Sequence, residues 1–201
     1  MSETDGSGGW TDQARAWCQG RYWQWRLPLL AYLAFSASSG IRDPDGGNWW
    51  SGITLAFHEM GHILFSPLGE FMAVAGGSIT QVAIPIVAAW MFKRQGEWFG
   101  IAVAGCWLGS SLVDLARYIG DARAQELPLV GFSDDPMHDW HYLLGQLGWL
   151  RHDTQIAWLM EGVAVIVLGA SLAFGLWLGL EMWRGRGEAT GSRVQGPGSA
   201  K

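Results

Sequence analysis

GVAVIVLGASLAFGLWLGL, residues 162–180, runs for nineteen positions without a charge. At ~1.5 Å of rise per residue such a helix matches the ~30 Å hydrocarbon core of a bilayer. Four further apolar stretches precede it: 27–41, 49–65, 71–92 and 98–113. Each is shorter or more polar, but tryptophans mark their ends. Trp23 and Trp25 precede the first, Trp49 and Trp50 open the second, Trp90 closes the third and Trp98 opens the fourth. Trp158 and Trp183 flank the run at 162–180. Indole rings favour the headgroup level, so this placement reads as an aromatic belt. The expected fold is an all-α integral membrane protein. It is a bundle of about five transmembrane helices plus a short interfacial or re-entrant helix.

Composition agrees. Only 15% of the 201 residues are charged, and Gly (29) and Trp (14) are abundant, where soluble domains carry about 25% charge. The apolar content of 49% and net charge of −5 exclude general disorder. Thirteen basic against eighteen acidic residues leave no footprint for nucleic acid. Cys18 and Cys106 are too few for a disulfide framework.

The domain division expected is a disordered start and interfacial segment (1–26), a membrane-embedded domain (27–183) and a disordered tail (184–201). The segment 10–26 interleaves Trp10, Trp17, Tyr22, Trp23 and Trp25 with Arg15, Arg21 and Arg26, as interfacial segments do. Gly175 and Gly179 form a GxxxG pair that permits close helix contact. Asp135 and Pro136 have the chemistry of an N-cap and first helical residue, predicting a short helix over 138–150. With five alternating crossings, six basic residues fall on one side and seven on the other, so charge leaves the orientation open, with a lean towards a cytoplasmic C-terminus.

Within the second stretch stands Phe57-His58-Glu59-Met60-Gly61-His62, an H-E-x-x-H pattern. With the histidine content of this chain, chance supplies it about 0.005 times. Residues four apart share a helix face, so His58 and His62 can bind one zinc ion. Glu59 is turned about 100° from His58 and can reach a water held by the metal, as a general base. Ionisable groups at bilayer depth are costly and functional by default. Counted from Trp49, His58 lies about 13 Å in, near mid-membrane.

A third ligand has two sources. Ser110, Asp114, Arg117, Tyr118 and Asp121 recur at helical spacing as one polar face, on which Asp114 either reaches the metal or pairs with Arg117. Alternatively His138-Asp139-Trp140-His141 offers two histidines three apart, which could complete the site or make a second one. Thr80 and Gln81 are candidates for hydrogen bonding to substrate backbone, or for holding helices together.

Across 49–121 the chain resembles the site-2 protease family of intramembrane zinc metalloproteases, especially its small bacterial members. The carriers are H-E-M-G-H at 58–62, Ala75-Gly76-Gly77-Ser78-Ile79-Thr80-Gln81, Ala104-Gly105-Cys106-Trp107-Leu108-Gly109-Ser110, and Asp114 near a later helix end. The resemblance implies a zinc cofactor held by His58, His62 and Asp114, with Glu59 as catalytic base. The activity expected is hydrolysis of transmembrane or membrane-proximal peptide bonds in a bacterial cytoplasmic (inner) membrane. Expected partners are the lipid bilayer, a membrane-protein substrate, and a homo-oligomer or regulatory membrane partner, with no nucleic acid. The competing expectations are a non-peptidase metalloenzyme acting on a lipid, with His58, His62, His138 and His141 as ligands, and a proteolytically silent relative that binds membrane partners.

Overall fold

The computed structural model describes residues 9–42, 50–128 and 137–194. Among these residues every regular element is helical. The order is α1 (Trp10–Cys18), α2 (Arg26–Arg42), α3 (Ser51–Phe65), α4 (Glu70–Arg94), α5 (Trp98–Gly120), α6 (Asp139–Gln146) and α7 (Asp153–Val194). Three segments, Glu70–Arg94, Trp98–Gly120 and Leu150–Gly185, are long and apolar enough to cross a membrane. The predicted short helix starts with His138 as its N-cap and ends at Gln146, before Gly148 takes a positive φ of 69°. Gly is the residue that adopts this conformation without steric cost. The expected cap at Asp135 and Pro136 lies outside the described residues, as do 1–8 and 195–201. The last helix continues to Val194, into the segment expected as tail.

Glycine sets the spacing of the bundle. A Cβ on Gly61 would strike the Gly76 carbonyl, and one on Gly76 would strike Gly61 and Phe65, so α3 and α4 meet backbone to backbone. Gly105 and Gly109 admit Ser171 and Leu168 of α7 in the same way. The GxxxG pair in α7 receives α2, with Leu30 at Gly175 and Leu27 at Gly179. Both cysteines are free and buried.

These contacts fix the helix directions. Phe92 faces Gly100, and Gln81 bonds to Ser111, so α4 is antiparallel to α5. His62 meets Ala73 and His58 meets Gln81, so α3 is antiparallel to α4. Trp25 meets Phe99, while Ala37 joins the cluster containing Leu112 and Val113, so α2 runs parallel to α5. Hence α2 and α3 run in the same sense, and strict alternation of five crossings does not describe the bundle. At one end stand α1, the start of α2, the end of α4 and the C-terminal half of α7. There Trp10 packs on Trp98 and Phe174, and Cys18 bonds to the Leu178 carbonyl. At the other end lie the α3–α4 turn, α6 and the start of α7, where buried Asp153 caps Thr154 and holds Arg123 at 2.7 Å.

Many large apolar side chains point away from the protein. Leu159 is 72% exposed, Ile166 71% and Ile63 65%. Such a surface needs a cover, and soluble monomers rarely expose contiguous patches of this kind.

Two substitutions test the backbone contact. Gly76→Val overpacks the α3–α4 seam and is expected to cost about 1–3 kcal/mol or more. Gly169→Ala has open space around the new Cβ and should be neutral or stabilising by up to about 1 kcal/mol. Thermal unfolding in detergent measures both; equal stability of the two variants contradicts the packing described.

Candidate metal centre

The core of the centre is the seam between α3 and α4, with α6 laid against it. His58 and His62 lie one turn apart on α3, with ring centroids 4.8 Å apart. Each imidazole has its Nδ1 engaged. His62 Nδ1 donates to the Ala73 carbonyl at 2.9 Å. A carbonyl only accepts, so the hydrogen is on Nδ1. Gln81 Nε2 donates to the Ser111 carbonyl at 3.0 Å, which leaves its Oε1 to accept from His58 Nδ1, also at 3.0 Å. In the neutral rings both Nε2 atoms therefore present lone pairs. Partners of this kind orient ligating histidines and raise their basicity.

Those lone pairs meet a carboxylate. Asp139 Oδ2 lies 2.9 Å from His58 Nε2 and 3.2 Å from His62 Nε2. The ligand atoms of His58, His62 and Asp139 all lie within 4.8 Å of one another. Three electron-pair donors converge when both rings are neutral, an arrangement that a bound cation satisfies, as does a proton on either Nε2. Gly77 leaves the room for one: a Cβ there would come within 2.7 Å of both Nε2 atoms. Two imidazoles and one carboxylate form a donor set that suits zinc with an open fourth position, so the residues present fit the metal expected.

The sequence expectations divide here. His58 and His62 are brought together. Glu59 is half-buried beside them, within electrostatic reach of His62 and Tyr118. Asp114 is not among the converging donors; it lies 3.5 Å from the Ser51 hydroxyl, on the α5 face turned to the start of α3. His138 and His141 are also turned elsewhere. His138 Nε2 lies 3.2 Å from Asp121, and its Nδ1 accepts the His141 N–H as the cap of α6. His141 Nδ1 donates to the Ala122 carbonyl at 2.8 Å. The set of four histidines therefore does not assemble. Gln81 is spent on His58 and Ser111. Thr80 is buried against Gly61, its hydroxyl without a partner among the described residues.

The polar face predicted on α5 serves the centre indirectly. The Tyr118 hydroxyl accepts the Asp139 N–H at 3.0 Å. Asp121 caps the backbone at Glu126 and Leu127 and holds His138. Trp140 donates its indole N–H to Ser78 on α4 at 3.1 Å. Together these bonds seat α6 so that Asp139 faces α3. Burial pushes the Asp139 carboxyl up, but the hydrogen-bonding imidazoles outweigh it and hold it below the usual range. Burial pulls His138 down, and Asp121 offsets only part of that.

Asp139 is the residue that sequence reasoning passed over. The H-x-x-H pattern drew attention to its flanks, on the premise that both histidines share a helix face. His138 is the N-cap, with extended backbone (φ −76°, ψ 106°), so it lies outside that face. The face that does dock consists of Asp139, Trp140, Leu143 and Leu144. Apolar residues at 143 and 144, beside an acid in the first turn, were the available signal.

Compared with family models, curated proteins and solved structures, the chain has no match. The class is therefore defined by fold and site alone. Among the described residues it is all-helical, with three helices apolar enough for a membrane and a His-His-Asp group able to hold a metal.

Elemental analysis after dialysis against weak chelator distinguishes the ligands. Asp139→Ala should lose its zinc while Asp114→Ala retains it. Gln81→Leu leaves all three ligands in place and should weaken zinc affinity about 10- to 100-fold. Zinc retained by Asp139→Ala and lost by Asp114→Ala reverses the assignment.

Proposed function

We propose that the protein is a zinc-dependent endopeptidase embedded in a membrane, acting on transmembrane or membrane-proximal peptide bonds. The carrying observation is the convergence of His58, His62 and Asp139 in the Gly77 cradle, with Glu59 one residue beyond the first ligand. The likeness of residues 58–62 and 75–81 to site-2 proteases supports the same reading.

Each residue has a separable task. His58, His62 and Asp139 would hold the ion, which when bound supplies Lewis acidity towards water and a carbonyl. Gln81 and the Ala73 carbonyl hold both rings with Nε2 directed at the centre. Glu59 is not needed as a ligand. Its carboxylate takes a proton from the attacking water and returns it to the leaving nitrogen. Tyr118 fixes the Asp139 backbone.

Membrane placement is supported by the exposed apolar belt and by the polarity of the bundle. In this reading α4, α5 and α7 cross the bilayer, α2, at 17 residues, lies along α5 in the same sense, and α3, at 15 residues, packs along α4. The end opposite the site carries Arg15, Arg21, Arg26, Lys93, Arg94 and Arg184 against Asp12, Glu97 and Glu181. The site end is richer in acids, with Glu70, Asp121, Glu126, Asp139, Asp153 and Glu161 against Arg117, Arg123 and Arg151. Basic residues favour the cytoplasmic side, so α1 and the C-terminal half of α7 face the cytoplasm and the metal centre lies towards the opposite face. The bacterial inner membrane suits this arrangement.

Glu59→Gln keeps size and hydrogen bonding. It should leave the fold and zinc content unchanged and slow cleavage of a co-expressed single-span membrane protein about 10²–10⁴-fold. Cleavage at the wild-type rate refutes Glu59 as the base. A zinc-loaded wild-type protein that cleaves no membrane substrate refutes the peptidase reading in favour of a silent or lipid-directed metalloprotein.

A further inference from the structure

At the end of the bundle opposite the metal centre, α1 turns into α2 around one tryptophan. The Arg21 guanidinium lies 4.3 Å from the centre of the Trp17 ring, and that of Arg26 lies 5.3 Å from it. Arg26 also covers Trp25 at 4.1 Å. Two like charges are thus held against a single ring. Both donate to neutral backbone: Arg21 Nε to the Trp17 carbonyl at 2.8 Å, and Arg26 Nη1 to the Tyr22 carbonyl at 2.6 Å. The nearest counter-charge, Glu97, stands 3.8 Å from Arg21.

Two donors are left over. Arg26 is only 7% exposed, yet its Nε is buried without an acceptor among the described residues. The Trp17 Nε1 is buried in the same condition. Buried donors are almost always satisfied, and leaving one unmade costs its full desolvation. Two guanidiniums held against one indole, with buried donors on Arg26 and Trp17 to spare, suit an anion with several acceptor oxygens. Phosphate has that chemistry, and arginine binds it through a planar fork of donors.

We propose that Arg21, Arg26 and Trp17 form a binding site for a phosphate group, that of an anionic phospholipid in the leaflet at this end. The source follows from position. The site is at the start of α2, at the bundle end that also holds Trp10 against Trp98, Trp25 against Phe99 and Arg94 over Trp90, the composition of a headgroup layer. The site rests on the membrane placement above and is independent of the proposed catalysis.

Native mass spectrometry of the full chain released from detergent, loaded with phosphatidylglycerol or phosphatidylcholine, reads out the site. One phosphatidylglycerol should be retained per chain, in preference to phosphatidylcholine. Arg26→Gln and Trp17→Phe should each weaken retention, the former about tenfold. Arg15→Gln removes the same charge from the same region, but Arg15 is exposed and paired with Asp12 and Glu181, so retention should be unchanged. If Arg26→Gln fails to keep its helical circular dichroism, Arg26→Lys preserves charge without the guanidinium and should still bind more weakly. Equal weakening by all the charge-removing variants, or by none, overturns the site. Inorganic phosphate bound at millimolar concentration with no lipid retained overturns the lipid as its source. A chain that stays monodisperse without detergent refutes the membrane placement instead.

Discussion

Two imidazole nitrogens and a carboxylate oxygen brought to one point form the constraint around which the rest of this protein is arranged. His58 and His62 can present Nε2 only because the Ala73 carbonyl and Gln81 occupy Nδ1. They can approach α4 only because Gly76 and Gly77 lack side chains. Asp139 can reach them only because α6 is seated by Tyr118, Trp140 and the His138–Asp121 pair. The supporting bonds come from α4, from the end of α5 and from α6, so the centre also ties these helices to α3. Such supporting partners matter nearly as much to a metal as the ligands do.

The two ends of the bundle carry different chemistry. One has the donors, the acidic residues and the short docked helix. The other has stacked indoles and guanidiniums, with α1 folded back on α7 through Trp10 and Cys18. Because α2 and α3 run in the same sense, α1 and the C-terminal half of α7 both fall at the basic end. The charge count that is balanced under strict alternation becomes lopsided once the real directions are used.

Much of this was legible in the sequence because membrane-length apolar runs and an i, i+4 histidine pair are local patterns. The helices expected at 71–92 and 98–113 run over 70–94 and 98–120, and the GxxxG pair at 175 and 179 marked a close helix contact, the one made by α2. What escaped depended on tertiary contact. Asp114 had the right spacing on a polar face, yet that face delivers Tyr118 and Asp121 to α6 and leaves Asp114 beside Ser51. The histidines at 138 and 141 had a plausible pattern, but a cap residue does not share the face of the helix it caps. Gln81 was legible as a polar group within an apolar helix; its role required knowing that His58 lies 3.0 Å away.

The central claim is that one cation sits among His58, His62 and Asp139. X-ray absorption at the zinc edge of the purified protein tests it most directly. The account predicts a four-coordinate centre with two imidazole nitrogens and light oxygen donors at about 2.0–2.2 Å and no sulfur, with the imidazole signature intact but an oxygen donor altered in Asp139→Asn. A sulfur shell, a centre without imidazole, or a spectrum unchanged by Asp139→Asn would contradict it.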